Sequence, residues 1–273
     1  MRRKGHKQLQ VLATRVRRHI IAMSYKSQSG EIGSALCIAD ILVALYFNIL
    51  DIKPKHPLWH ARDRFILSKG HGAAALYATL ALRGYYPEAD LTSYRMNGGR
   101  FHCHPCQEAA PGIEVSTGSL GHGLSIAVGM ALGMQKKYPG KKVFTLIGDG
   151  ECNEGSVWEA AMFASKHKLS NIVVIVDNNK FQGFGAVKDV LTTDLQRMWK
   201  ASGWDVLRMN GHDIADIESV LLRTQNELSR PTVIIADTIS GKGIPEIENT
   251  LGAHYFIADE KTYLASRPHD HAT

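Results

Sequence analysis

Hydrophobic positions follow a helical spacing in the first part of the chain. Near the N-terminus, apolar residues recur every three or four positions, which predicts a helix with one buried face, at Leu9, Leu12, Val16 and Ile20. Long apolar or small-residue stretches predict further helices over residues 39–50, 70–85 and 124–138. Between residues 90 and 120 the sequence is rich in Gly, Pro and polar residues, which predicts a long loop.

The pattern changes in the second half of the chain, where apolar runs become short, unbroken and β-branched. Such runs suit strands buried on both faces of a parallel sheet. They occupy 142–148, 171–177, 204–209 and 232–239, with helical segments at 153–169 and 214–228. The alternation predicts an α/β fold, a doubly wound and mostly parallel sheet flanked by helices. Because no linker or change in composition interrupts it, residues 1–273 are expected to form a single domain.

Composition narrows the class of protein. With 44% hydrophobic and 21% charged residues, the chain has a composition typical of a soluble globular protein. Its net charge of +6 comes without a nucleic-acid recognition motif, so nucleic acid is not an expected partner, although positive charge suits phosphorylated ligands. No apolar run approaches the roughly 20 residues that span a bilayer. The four cysteines form no disulfide framework, which favours reduced thiols and a cytoplasmic location.

Oxygen-bearing side chains follow two of the predicted strands. Asp149 stands between Gly148 and Gly150 after one strand, and Asn179 closes the Asp-Asn-Asn run after the next. In an open α/β sheet, ligands bind beyond the carboxyl ends of the strands, so these side chains are expected to meet at one edge. A carboxylate and an amide oxygen suit Mg²⁺, which fills its coordination sphere with phosphate oxygens and water. Each run alone is ordinary turn chemistry, and their combination is the informative feature.

The stretch RFHCHPCQ places His102, Cys103, His104 and Cys106 within five positions. One interpretation is a metal site; the other is a single functional side chain among incidental neighbours. A tetrahedral zinc site needs four ligands, and adjacent residues cannot easily point at one ion. A lone Cys-x-x-Cys is weak support for a metal, so the local sequence leaves both interpretations open.

The strand-end pattern, Gly148-Asp149-Gly150 followed after about 30 residues by two asparagines, resembles the thiamine diphosphate motif of thiamine-dependent enzymes. Further segments are similar to the N-terminal half of transketolase and occur in the same order. They are DRFILSKGHG (63–72), GIEVSTGSLGHGLSIAVGMALG (112–133), NGHD (210–213) and SGKGIPEIEN (240–249). The resemblance covers roughly residues 8 to 260 and implies the transketolase fold.

The resemblance assigns roles to individual residues. It implies that Mg²⁺ or Ca²⁺ is held by Asp149, Asn179 and the backbone carbonyl of Phe181. Thiamine diphosphate would then be contacted by the two glycines beside Asp149 and by the Gly-Ser-Leu-Gly loop. The cofactor-binding residues are Gly148, Gly150, Gly118 and Leu120, together with Asp149, Asn179, His71 and His254.

Four residues carry catalytic roles by the same resemblance. Three are imidazoles, which shuttle protons near neutral pH or bind substrate hydroxyls. The fourth matches a glutamate at an interface between subunits that communicates between active sites. The residues are His71, His104, His254 and Glu154. In RFHCHPCQ, His104-Pro105 matches the family's loop, so the cluster reduces to one functional histidine.

The implied reaction transfers a two-carbon ketol unit from a ketose or ketose phosphate to an aldehyde. A complete transketolase is more than twice as long, so a separate C-terminal subunit carrying the pyrimidine-binding domain is the expected partner, in a heterotetramer. Two positions depart from the family: Glu31 replaces a histidine and His122 a glutamine. These departures favour a specialised sugar or a biosynthetic substrate.

Two alternatives remain. The α subunit of a 2-oxo acid dehydrogenase shares the Gly-Asp-Gly and Asn pattern, but it does not account for SKGHG or STGSLGHG. A non-catalytic module that keeps the cofactor site is supported by Glu31, because an ionised carboxylate cannot donate a hydrogen bond to substrate.

Overall fold

A five-stranded parallel sheet forms the centre of the molecule. The computed structural model describes residues 3–191, 194–226 and 229–267. The sheet contains β1, β2, β3, β6 and β7 in the order β1-β2-β3-β7-β6, and β4 and β5 form a separate antiparallel pair. The strands are β1 (Arg64–Leu67), β2 (Val143–Gly148), β3 (Ile172–Asn178), β4 (Phe181–Gln182), β5 (Gly185–Ala186), β6 (Asp205–Asn210) and β7 (Thr232–Asp237).

Helices cover both faces of the sheet. Those described are α1 (His6–Ser27), α2 (Gly33–Leu36), α3 (Ala39–Ala44), α4 (Ala73–Arg83), α5 (His122–Lys137), α6 (Gly155–Lys166), α7 (Val187–Val190), α8 (Leu195–Ala201), α9 (Ile214–Arg223), α10 (Gly252–Tyr255) and α11 (Glu260–Ser266). Helices α5, α6 and α8 contribute to one apolar core, whereas α1, α3, α4 and α9 contribute to the other. No helix in the described part of the chain is long and apolar enough to cross a membrane.

Alternate residues of each central strand enter different cores. In β2, Phe144 and Leu146 pack on the side of α1 and α4, and Val143 and Ile147 pack on the side of α5 and α6. Because both faces are covered, the strands are continuous apolar runs rather than alternating ones. The predicted α/β class and mostly parallel sheet are therefore confirmed.

Some predicted boundaries were wrong. The helix predicted over 39–50 is α3 followed by a π-helical turn, Leu45–Ile49, and that over 70–85 begins with a 3₁₀ turn, Gly70–Gly72. Strand β1 was not predicted, since it is only four residues long and starts with a charged arginine. Part of the helix predicted over 214–228 lies outside the described residues, and the observed helix ends at Arg223.

Strands β2 and β3 end side by side, with Gly148 paired to Asp177. β7 continues the same edge, where Asn178 pairs with Asp237. The parallel direction therefore brings the Gly-Asp-Gly run and the Asp-Asn-Asn run together, as the sequence predicted.

Candidate functional site

A cleft of about 540 Å³ opens at the carboxyl edge of β2 and β3. All of the site residues predicted from the sequence line it, although they come from separate parts of the chain. They are His71, His104, Gly118, Leu120, Gly148, Asp149, Gly150, Glu154, Asn179, Phe181 and His254. The structure thus brings the predicted set together in one place.

Two oxygen-bearing side chains are held in place by backbone N–H groups. The carboxylate of Asp149 accepts hydrogen bonds from Gly150 N at 2.8 Å and from Lys180 N at 2.6 Å. The amide oxygen of Asn179 accepts one from Phe181 N at 2.9 Å. Lys180 adopts a left-handed conformation with φ of 71°, so the chain turns sharply between Asn179 and Phe181.

The electrostatics of Asp149 fit a bound cation. Burial raises the pKa of this carboxyl to about 7, and the charge of nearby Asp177 adds to the effect. A divalent ion would favour the ionised carboxylate and offset both contributions. A carboxylate, an amide oxygen and the Phe181 carbonyl are the hard oxygen donors that Mg²⁺ and Ca²⁺ accept, so the residues present fit the predicted metal.

Two histidines lie close together in the cleft and are neutral at physiological pH. The rings of His71 and His254 are 6.1 Å apart between centroids. Burial, with the nearby charge of Lys69, lowers the pKa of His71 to about 3. Burial also lowers the pKa of His254, against an opposing contribution from Glu31. Neutral imidazoles each offer one donor and one acceptor nitrogen to a ligand.

His104 reaches the cleft from the RFHCHPCQ loop. Its backbone carbonyl accepts a hydrogen bond from Tyr77 Oη at 2.8 Å, and a Cβ added to Gly70 would lie 3.1 Å from its ring. The other members of the cluster diverge: His102 is exposed, and Cys106 packs against the apolar core. In the described ranges, no group of three or more His, Cys, Asp or Glu residues is arranged to hold a metal ion.

Glu151 was not singled out from the sequence, although it directly follows the Gly-Asp-Gly run. Its buried carboxylate joins three loops of the site. It accepts hydrogen bonds from Ser68 Oγ at 2.5 Å, from Gly121 N at 2.8 Å and from Gly148 N at 3.0 Å. These loops are distant in sequence, so no local pattern indicates the role.

A buried ion pair beneath the cleft was also missed. The ammonium of Lys69 contacts the carboxylate of Asp177, and both side chains are almost fully buried. Burial alone would raise the pKa of Asp177, but the ammonium and several hydrogen bonds hold it below its ordinary value. In the sequence, Lys69 is part of SKGHG, and Asp177 is the last residue of a predicted strand. Neither context indicates that the two side chains form a buried ion pair.

The two departures from the family's sequence lie in different environments. Glu31 lines the cleft in a left-handed conformation, with φ of 67°, and its Oε2 is 3.6 Å from the guanidinium of Arg95. His122 is exposed at the first residue of α5 and is not among the cleft residues. Of the two, Glu31 is therefore the residue placed to contact a ligand in the cleft.

Helices α5 and α6 expose an apolar surface, which we call the α5/α6 face. Its large side chains are Ile126, Leu132, Met162 and Phe163. A Cβ added at Gly129 or Gly133 would meet nothing within 4 Å, so the backbone of α5 is also accessible there. Glu154, whose Cβ would lie 2.7 Å from a Cβ on Gly121, is exposed where α6 begins, next to this face. Clustered apolar exposure of this kind marks an interaction surface.

Comparison with known proteins gives consistent matches. The 6-deoxy-6-sulfo-D-fructose transketolase subunit of Clostridium sp. (strain MSTE9) is 40% identical over 238 residues, which are 87% of this chain and 86% of the relative. An apulose-4-phosphate transketolase subunit of Actinobacillus succinogenes is 40% identical over 255 residues, 93% of this chain and 92% of the relative.

The crystal structure of transketolase from Campylobacter jejuni matches with a TM-score of 0.89 and 33% identity. The match covers 95% of this chain but only 42% of the transketolase chain. The family model described as "Transketolase, thiamine diphosphate binding domain" matches residues 9–263. The chain therefore belongs to the transketolase family, whose members are thiamine diphosphate-dependent ketol transferases.

Proposed function

We propose that the chain is the N-terminal subunit of a split transketolase-like enzyme, folded as a single domain over residues 1–273. The enzyme transfers a two-carbon ketol unit from a ketose or ketose phosphate donor to an aldehyde acceptor. The observation that carries this proposal is the gathering of all the predicted site residues in one cleft. The similar lengths of the relatives named as transketolase subunits support the split organisation.

The strand-end residues hold the cofactor in this proposal. Asp149, Asn179 and the carbonyl of Phe181 would hold Mg²⁺ or Ca²⁺, and the ion would supply positive charge to a diphosphate. Gly118, Leu120, Gly148 and Gly150 lie along the cleft, where glycines allow the backbone to approach a ligand closely. Thiamine diphosphate, when bound, supplies the electron sink that breaking a carbon–carbon bond requires.

The histidines hold and move protons in the same cleft. The pKa values of His71 and His254 are lowered by burial, so both rings remain neutral and act as hydrogen-bond donors and acceptors toward the cofactor and the reacting carbon. His104, on the RFHCHPCQ loop, contacts the sugar. Glu154 lies where the neighbouring subunit completes the site.

The α5/α6 face supports the presence of a partner subunit. Helices α5 and α6 begin within two residues of the cleft residues Leu120 and Glu154, so a chain that packs on this face could extend over the cleft. We assign this place to a separate C-terminal subunit with the pyrimidine-binding domain, in a heterotetramer. We place this chain in the cytoplasm, which its four free cysteines support.

The substrate is a specialised sugar or sugar phosphate. The relatives named above act on 6-deoxy-6-sulfo-D-fructose and apulose 4-phosphate, both of which are unusual sugars. In this chain Glu31 and Arg95 place a carboxylate and a guanidinium together beside the cleft. Such a pair suits polyhydroxylated ligands better than apolar ones.

The test compares the purified chain with the chain mixed with its C-terminal partner, both with thiamine diphosphate and Mg²⁺. Ketol transfer across a panel of ketoses and aldehydes is expected only in the mixture. Full activity of the isolated chain would contradict the split organisation. Cofactor binding without turnover would identify a non-catalytic module, and oxidative decarboxylation of a 2-oxo acid would identify the dehydrogenase alternative.

A further inference from the structure

The carboxylate of Asp177 is surrounded by hydrogen-bond donors beneath the cleft. It is fully buried and accepts from the Lys69 ammonium and the Thr238 hydroxyl, and from Cys37 Sγ at 3.1 Å. The remaining donor is the amide nitrogen of Asn179, 2.8 Å from Asp177 Oδ2. Asp177 thus contacts one of the residues proposed to bind the cation.

The chemistry of these groups fixes the orientation of the Asn179 amide. An ionised carboxylate only accepts hydrogen bonds, so the NH₂ end of the amide must face Asp177. The oxygen end then points the other way, where it accepts from Phe181 N at 2.9 Å. Reversing the amide would place oxygen against carboxylate and two N–H groups against a backbone donor.

Lys69 fixes the position of the carboxylate. Its side chain is 1% exposed, and its ammonium also donates to the backbone carbonyl of Ser34 at 3.0 Å. The ammonium contacts Oδ2 of Asp177, the same oxygen that accepts from the Asn179 amide. Lys69 therefore holds that oxygen where it meets the amide nitrogen of Asn179.

We propose that Lys69 and Asp177 are positioning residues, which hold the Asn179 carboxamide with its oxygen toward the catalytic cation. This inference rests on the proposed function, because it takes the cation site as given. It assigns the buried pair a role in positioning in addition to any contribution to stability.

The test replaces both charges with apolar side chains of similar size, in Lys69→Met/Asp177→Leu. The cofactor-free variant is expected to stay folded with a lowered thermal midpoint, because Thr238 and Asn179 lose a buried acceptor. The dissociation constant for Mg²⁺, titrated calorimetrically with saturating thiamine diphosphate, is expected to rise about 10- to 100-fold. Asp237→Asn is the matched control. Asp237 also ends a strand and accepts from an asparagine amide, Asn178 Nδ2 at 2.7 Å, but no hydrogen bond joins it to Asn179.

A further variant separates orientation from general damage. Adding Asn179→Asp to the double variant supplies two equivalent oxygens that need no orienting partner, so Mg²⁺ affinity is expected to recover. If the double variant binds Mg²⁺ as tightly as the wild type, or if Asn179→Asp restores nothing, the inference is wrong. Failure of the wild-type complex to bind Mg²⁺ and thiamine diphosphate at all would instead contradict the proposed function.

If the double variant does not fold, Asp177→Asn replaces it. This variant keeps the side-chain volume, and its amide can pair with either end of the Asn179 amide. It is expected to show the same loss of Mg²⁺ affinity.

Discussion

The protonation of single side chains in the cleft depends on burial. Because His71 has a pKa of about 3 in the folded chain and about 6.5 when unfolded, only the unfolded state takes up a proton between these values. Stability is therefore lost as pH falls below about 6.5. His254 shifts in the same direction.

Replacing His71 with asparagine removes this proton uptake. Between pH 6 and pH 4.5, we expect the free energy of unfolding to fall less steeply with decreasing pH in the His71→Asn variant than in the wild type. The two slopes should differ by up to about 1.4 kcal/mol per pH unit. Urea titrations across this range measure the difference. The control is His102→Asn, at an exposed position. Equal slopes for the wild type and His71→Asn would show that His71 is protonated in the folded chain.

The His104→Ala variant tests the interpretation of RFHCHPCQ as one functional residue. With the partner subunit present, we expect kcat to fall by about 100-fold or more, the usual effect of losing a positioned proton-transfer group. Binding of Mg²⁺ and thiamine diphosphate should stay as in the wild type, because Asp149 and Asn179 are untouched. His102→Ala is the matched control. One tightly held zinc ion per wild-type chain, lost in His104→Ala, would contradict this interpretation.

The position of a residue in the cleft could be predicted where a local motif and a strand end coincide, as at Asp149 and Asn179. The roles of Glu151 and Lys69 could not, because each depends on partners from distant segments: Glu151 bonds Ser68, and Lys69 contacts Asp177. A single charged residue in a sequence does not reveal whether it is buried against such a partner.

At the level of secondary structure, the hydrophobic pattern predicted element boundaries most accurately for strands that are buried on both faces. The β-branched runs of β2 and β3 gave both strands to within one residue at each end. The stretch 39–50 was less informative, since it is buried on nearly every side and its apolar residues carry no periodicity that would reveal the π-helical turn at Leu45–Ile49. The pattern also could not distinguish the buried from the exposed apolar residues of α5 and α6.

The α5/α6 face gives a prediction about assembly. Phe163 is 44% exposed on α6, so Phe163→Asp should leave the thermal midpoint of the isolated chain unchanged. We expect it to weaken association with the C-terminal subunit by at least about 30-fold, the factor that corresponds to about 2 kcal/mol at an interface anchor. Sedimentation of the mixture measures this.

The control for Phe163→Asp is Val11→Asp, a comparable change at an exposed apolar residue of α1. Helix α1 packs on the opposite side of the sheet from α6. Equal loss of association in both variants would indicate nonspecific damage, and no loss in Phe163→Asp would remove the α5/α6 face as the partner's site.

At the scale of the whole molecule, the proposed cation and cofactor should stabilise the folded state, because they bind it and not the unfolded chain. At 100 times their dissociation constant, they are expected to add about 2.7 kcal/mol to the stability of the complex, and EDTA should reverse the gain. Thermal scans of the complex with thiamine diphosphate and Mg²⁺, before and after EDTA, measure it. A midpoint that neither addition moves would contradict the cation site at Asp149.

The pairing of the strands also governs how the chain reaches its native state. Arg64 of β1 pairs with Val143 of β2, and Val173 of β3 pairs with Thr232 of β7, so these two strand pairings wait for a long segment to be synthesised. Native contacts this remote in sequence slow folding, and until they form, the strands expose apolar surface. During synthesis α1, α3 and α4 emerge first and can associate, while β1 has no partner until β2 leaves the ribosome. We therefore expect slow refolding, with aggregation of early intermediates as its main competitor.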